Sequence, residues 1–168
     1  MKQLLVMRHA KSDWAADHGN DHDRPLNERG IRSARIIGRL LAAEDNIPDL
    51  VVSSTAQRAR STAHLAGEAG DWGSETVIDP ALYGSGADAA IEVARSAPDI
   101  ARLMLVGHQP AWSHLVFKLT DRRVEMKTGT VAVIDLDIDS WSEITSTPGS
   151  LANVYQPRDY FDTRFDST

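Results

Sequence analysis

Two short apolar runs in this chain each end in an abrupt switch to polar chemistry. Leu4 to Met7 gives way to Arg8, His9, Lys11 and Ser12, and Leu103 to Val106 gives way to Gly107, His108 and Gln109. A short continuous apolar run bounded in this way reads as a buried strand. Between the two, the apolar positions change period. Ile31, Ala34, Ile37, Leu40 and Leu41 recur at helical spacing behind Asn27, which predicts a helix capped by that residue.

The same reading carries along the chain. Asp49 to Ser53 is a short buried strand, and Ala56 to Ala69 is a helix ended by Gly70 and Gly73. Thr76 to Ile78 is a weaker strand, and a helix from Ala87 to Ser96 stops before Pro98. Pro110 suits the first turn of a helix running from Ala111 to about Leu119. Val131 to Leu136 and Trp141 to Thr145 alternate like the two arms of a hairpin. Strands alternating with helices predict a three-layer α/β/α sandwich with a mostly parallel central sheet. Leu151 to Thr168 is expected to be a C-terminal tail that docks on the body.

Length and composition narrow the class. A chain of 168 residues, 42% hydrophobic and 25% charged, fits one domain spanning residues 1–168. No apolar stretch approaches the ~20 residues that cross a bilayer, so no membrane partner is expected. The first strand begins at about Gln3, leaving no room for a signal peptide, and the expected location is cytoplasmic. The net charge of −6 argues against nucleic acid as a partner, because phosphate backbones are held by clustered Lys and Arg. The absence of cysteine removes disulfides, thiolate metal sites and a Cys nucleophile.

Residues just beyond the carboxyl ends of parallel strands can converge on one ligand. His9 and His108 both stand at such ends, so they are expected to share a site. A neutral imidazole attacks phosphorus once one ring nitrogen is fixed as donor and the other is left free. Arg8 and Lys11 beside it would neutralise the oxygens of a phosphoryl group. Arg58 falls in the first turn of its helix, where a cation opposes the helix dipole unless an anion sits nearby. Arg60, two residues on, faces elsewhere and reads as a solvated charge.

The motifs Arg8 to Ser12 (R-H-A-K-S), Asp23 to Gly30 (D-R-P-L-N-E-R-G), Ser53 to Thr62 (S-S-T-A-Q-R-A-R-S-T) and Val106 to Pro110 (V-G-H-Q-P) resemble the histidine phosphatase superfamily in order and spacing. The resemblance covers Met1 to about Leu136 and is closest to the small branch of SixA-type phosphohistidine phosphatases. It implies a phosphoglycerate mutase-like fold, with His9 as a nucleophile that becomes phosphorylated. Arg8, Arg58 and His108 would complete the phosphate pocket, with neither metal nor cofactor. Ser12 matches the small hydroxyl residue of the first motif, Arg24 lies in the loop leading over the pocket, and Lys11 and Gln109 are further candidates for substrate contact.

Two departures bear on the substrate. Ala10 stands where much of the superfamily has glycine, and Gln109 replaces the commoner asparagine. More consequentially, larger members place a glutamate general acid in a segment that here reads Asp79 to Asp88 with no glutamate. An alkoxide is a poor leaving group without a proton, whereas neutral imidazole departs readily, its conjugate acid having a pKa of about 6.5. The expected substrate is therefore a phosphorylated protein carrying phosphohistidine, or another phosphoramidate. Asp21, Asp23 or Asp88 could substitute as the acid, and small phosphomonoesters or a catalytically inactive phosphate-binding module are the alternatives. The polar stretch His18 to Asp23 reads as a solvated lid rather than a metal site. Trp14 and Trp112 read as packing residues at least as readily as substrate contacts.

Overall fold

The computed structural model describes residues 1–166, so the last two residues of the expected tail lie outside it. Six strands and four helices are formed among the described residues: β1 (Lys2–Arg8), α1 (Glu28–Ala43), β2 (Leu50–Ser53), α2 (Gln57–Ala69), β3 (Glu75–Ile78), α3 (Ala87–Arg95), β4 (Arg102–Gly107), α4 (Ala111–Thr120), β5 (Val131–Leu136) and β6 (Ser150–Tyr155). The strands form one sheet in the order β3-β2-β4-β1-β5-β6. The first four in that order run parallel, and β5 and β6 are antiparallel additions at one side. This is the phosphoglycerate mutase-like fold.

Successive strand residues point to opposite faces, and the core divides accordingly. Leu4, Val6, Leu103, Leu105, Ala132 and Ile134 pack with Ala90 and Ile91 of α3 and Leu115 and Val116 of α4. Leu5, Met7, Met104, Val106, Val131 and Val133 pack with Ile37, Leu40 and Leu41 of α1 and Ala59 and Ala63 of α2. Burial on both faces explains why β1 and β4 read as unbroken apolar runs rather than alternating ones. The cap at Asn27 forms as expected, its side chain accepting from the Gly30 N–H at 2.8 Å. Trp112 is a packing residue, 1% exposed, whereas Trp14 is exposed with the Arg24 guanidinium 3.5 Å over its ring.

Two close approaches fix the strand ends. A Cβ on Gly107 would lie 2.4 Å from the Trp112 ring, and one on Gly30 would lie 2.1 Å from the Lys11 carbonyl oxygen. Only glycine lets the indole support the end of β4, and only glycine lets α1 cross the loop that follows β1.

The last hairpin differs from the sequence expectation. Trp141 to Thr145 is not a strand: Trp141–Glu143 is a short 3-10 turn closed by a Ser140/Glu143 capping box, with the Trp141 side chain buried. The Trp141 indole N–H donates to the Ile100 carbonyl at 2.8 Å. The partner of β5 is β6, which lies almost wholly within the segment expected to be a tail. That segment joins the sheet as an edge strand, and its continuation forms 3-10 turns at Pro157–Tyr160 and Arg164–Asp166. No helix among the described residues is long and apolar enough to cross a membrane.

Candidate active site

Register assembles the site. Arg8 is paired with Gly107 in the parallel β1–β4 ladder, so His9 and His108, one residue further, emerge side by side. Their ring centroids are 5.2 Å apart. Ser53 is paired with Val106 on the other side of β4, which brings Ser54 alongside Gly107. The Ser54 hydroxyl lies 2.8 Å from His108 Nε2. Arg58, the second residue of α2, is buried and reaches across both imidazoles. Ala56 supplies no side-chain cap to that helix, and its first turn carries a cation and no acidic residue. Thr62 ties α2 to the strand-end loop by donating to the Arg58 carbonyl at 2.7 Å and accepting from the Ala10 N–H at 3.0 Å.

The hydrogen bonds assign both imidazole tautomers. His9 Nδ1 lies 2.7 Å from the Ala10 carbonyl oxygen, which can only accept, so Nδ1 carries the proton. Nε2 is then the lone pair, and the Arg58 Nε–H points to it at 3.4 Å, a long contact that an incoming group can replace. Arg58 Nη2 likewise donates to His108 Nδ1 at 3.4 Å, which leaves His108 Nε2–H to donate to Ser54. Burial lowers His9 to a pKa of about 3; the Ala10 carbonyl opposes the shift, and His108, Arg58 and Arg8 add to it. Burial and then Arg58 lower His108 to about 4. Both rings are neutral at pH 7.

Arg8 completes the cationic surround. Its Nη1 donates to the Met126 carbonyl at 3.0 Å, while its buried Nε has no hydrogen-bond partner among the described residues. A buried donor left unpaired is costly and marks a place for a ligand. Burial and then Arg58 lower the Arg8 pKa, a sign of cations crowded together.

One carboxylate enters this surround. Asp21 lies in the short turn Asp21–Asp23; its backbone carbonyl accepts from Arg58 Nη1 at 2.7 Å and its Oδ2 from Arg58 Nη2 at 3.1 Å. Oδ2 also accepts from the Tyr83 hydroxyl at 2.9 Å, and Oδ1 from Arg24. Desolvation pushes the Asp21 pKa up, but hydrogen bonds from Tyr83, Arg24 and Arg58 outweigh it and hold the group well below the usual carboxylate range.

The other sequence candidates divide. Arg24 and Ser12 are buried and bonded to each other, Arg24 Nε donating to Ser12 Oγ at 2.9 Å. Lys11 is exposed and lines a different cavity, so it does not join the His9 cluster. Gln109 is turned to α4: its Oε1 accepts from the Ser113 N–H at 2.8 Å and its Nε2 donates to Ser113 Oγ at 2.6 Å. Both placements have one cause: sequence neighbours of a strand-end residue leave the strand in different directions. Arg60 is exposed and donates to the Thr55 carbonyl. Asp88 pairs with Lys118 on the surface, and Asp23 with the His22 ring at 3.3 Å. His18 contacts the Asn20 carbonyl and His22 the Thr55 hydroxyl. Among the described residues no three His, Asp or Glu side chains gather as a metal site. Tyr83 and Ser54 were not singled out from sequence; Tyr83 meets Asp21 from 62 positions away and leaves no local signal.

The histidine phosphatase superfamily (branch 1) family model matches residues 4–84. An uncharacterized protein of Mycobacterium tuberculosis is 35% identical over 164 residues, covering 90% of this chain and 100% of that protein. A structure assigned as phosphohistidine phosphatase SixA of Agrobacterium tumefaciens superposes with a TM-score of 0.80 at 28% identity, covering 93% of this chain and 98% of that one. A second, assigned as SixA of Nakamurella multipartitia, gives 0.78 at 27% identity, covering 93% and 96%. These matches, with two imidazoles and Arg58 gathered at adjacent strand ends, define a phosphatase by class. The chain belongs to the histidine phosphatase superfamily.

Proposed function

We propose that this protein is a metal-independent phosphatase that transfers a phosphoryl group to His9 and then to water, with protein phosphohistidine or another phosphoramidate as substrate. The observation that carries this reading is the His9 tautomer. Its proton is fixed on Nδ1 by the Ala10 carbonyl, and its free Nε2 lies among buried guanidinium groups. In the first step Nε2 bonds to phosphorus as the P–N bond breaks in a phosphohistidine already protonated on its other ring nitrogen, and the departing imidazole keeps the electron pair and leaves neutral. In the second step water attacks the phosphorus on Nε2, releasing inorganic phosphate and neutral His9.

Arg58 and the unpaired Nε of Arg8 are the donors for the equatorial oxygens, whose charge they stabilise most as the phosphoryl group passes between nitrogens, while His108, its Nε2–H held by Ser54, flanks them. Guanidinium groups thereby fill the role a divalent metal has in other phosphoryl transferases. The nitrogen leaving group is favoured by chemistry around the site. No glutamate lies between Asp79 and Asp88, and Asp21 is held as an anion by three donors, so no ready proton faces a departing alkoxide.

Acid quenching during turnover of a phosphohistidine-bearing protein is expected to trap acid-labile, base-stable phosphate on His9, absent in His9→Ala. Activity should persist in EDTA. Label on a serine or aspartate, or activity lost in EDTA and restored by a divalent ion, would overturn the proposal.

A further inference from the structure

A second basic cavity opens at the same end of the sheet, on the other side of β1 from the His9 cluster. It has a volume of about 190 Å³, and Lys11, Arg29, Lys127, Arg158, Thr130 and Phe161 are among the residues around it. No carboxylate lines it, in a chain with 24 acidic residues against 18 Lys and Arg. Lys127 has a loose partner in Glu125 at 3.9 Å, and Arg29 lies over the Phe161 ring at 4.6 Å. Four cations drawn together, with Glu125 loosely paired to one of them, repel one another, and an oxyanion between them reverses that sign.

A second observation points to a ligand. Thr130 is fully buried, and its hydroxyl has no hydrogen-bond partner among the described residues. An oxyanion in the cavity would supply the acceptor it lacks.

Placement relates the cavity to His9. Val131 pairs with Met7 on one side and Tyr155 on the other, so Thr130 and Gln156 stand at the carboxyl end of β1, where His9 emerges. Lys11 follows His9 by two residues, and its carbonyl is fixed by the Asn27 N–H at 3.0 Å. Adjacent strands are about 4.8 Å apart, so the two strand spacings from β1 to β6 put the cavity roughly 10 Å from His9.

We infer that this cavity is an oxyanion subsite, taking a second phosphate or carboxylate group that the substrate carries roughly 10 Å from the phosphoryl group transferred at His9. The substrate part rests on the proposed phosphatase reading; the binding of an oxyanion does not. In an amide NMR titration with inorganic phosphate, two separate saturable responses are expected, one at Gly107 and His108 and one at Thr128, Thr130 and Phe161. The double variant Arg29→Gln/Arg158→Gln should weaken the second response tenfold or more and keep the first. Acetate distinguishes the source: a cavity response to phosphate alone assigns a phosphate group, and a response to both admits a carboxylate. Cavity amides silent to both anions, or responding equally in the double variant, overturn the subsite even if the enzyme turns over. In kinetics, the double variant should raise KM for a phosphorylated substrate bearing a second phosphate and not for one lacking it. Equal KM effects on the two overturn the substrate link, whereas no turnover in any form counts against the phosphatase reading and leaves the titration standing.

Discussion

The ends of β1, β2 and β4 and the segment from Asp13 to Arg24 face each other across the candidate site, and they are built by different forces. At the strand ends His9, Arg58 and Ser54 are at most 6% exposed, held by strand register and a core on both sheet faces. The segment opposite is largely exposed apart from Arg24, and it holds Arg58 through Asp21, by its backbone carbonyl and by a carboxylate whose side chain is 52% exposed. Neutral imidazoles and guanidiniums sit in the first region, and the balancing anion comes from the second. Ion pairs at exposed groups contribute little net stability. A phosphoryl dianion, with more charge and more oxygens, can therefore take the donors of Arg58 and Arg24 from Asp21 without disturbing the strand ends.

If the strand ends carry the chemistry, Arg58 and Arg60 should separate sharply although two positions apart. Arg58→Ala is expected to lower kcat/KM about 100-fold or more, the usual loss for one donor to charge developing in a transition state. Arg60→Ala should change it less than twofold. Equal losses would mean that α2 presents a different face to the substrate in solution.

A smaller effect concerns the leaving group. With no proton donor positioned, kcat/KM should fall more than tenfold from aryl phosphates to alkyl phosphates, with phosphoramidates turned over readily. A flat series would reveal an acid at work. Its identity would then follow from which of Asp21→Asn, Asp23→Asn and Asp88→Asn restores the slope.

The two regions also differ in how much the sequence revealed. The apolar runs before His9 and His108 made both strand ends legible, because a strand buried on two faces has a simple signature. Helical periodicity separated Arg58 from Arg60. In the sequence Asp21 reads as a substitute acid or as part of a solvated loop, and Tyr83 carries no signal, since their contact depends on loop geometry. At the far edge, β6 carries few buried residues, so its pattern was weaker than that of Trp141 to Thr145. The better signal there was the S-x-x-E spacing of Ser140 and Glu143, which marks a capped turn rather than a strand.

The balance between the regions can be tested at Asp21 itself. Asp21→Asn keeps the shape of the side chain and removes the charge that competes for Arg58 and Arg24. Inhibition by inorganic phosphate should tighten several-fold and KM should fall, with kcat nearly unchanged. Weaker phosphate inhibition would mean that Asp21 positions the guanidiniums rather than occupying them.

The smallest expected effect on activity is that of mild acid. His9 and His108 have pKa values of about 3 and about 4 in the folded protein, against roughly 6.5 for histidine in an unfolded chain. Both rings thus stay neutral in the native state to well below pH 6, and the kcat of a substrate whose own ionisation is constant should be flat from pH 7 to about 5. Stability behaves differently. Below about pH 6.5 the unfolded chain binds protons that the native rings refuse, so the stability gained from keeping them neutral is complete above that pH. It is lost as the pH falls toward 4 and then 3, by at most about 1.4 kcal/mol per pH unit for each ring. Urea midpoints at pH 7 and pH 5 measure this, and His108→Gln should reduce the difference. A kcat that drops with an apparent pKa near 6.5 while stability stays level would show that the rings are solvated in solution and that the strand ends are as open as the segment facing them.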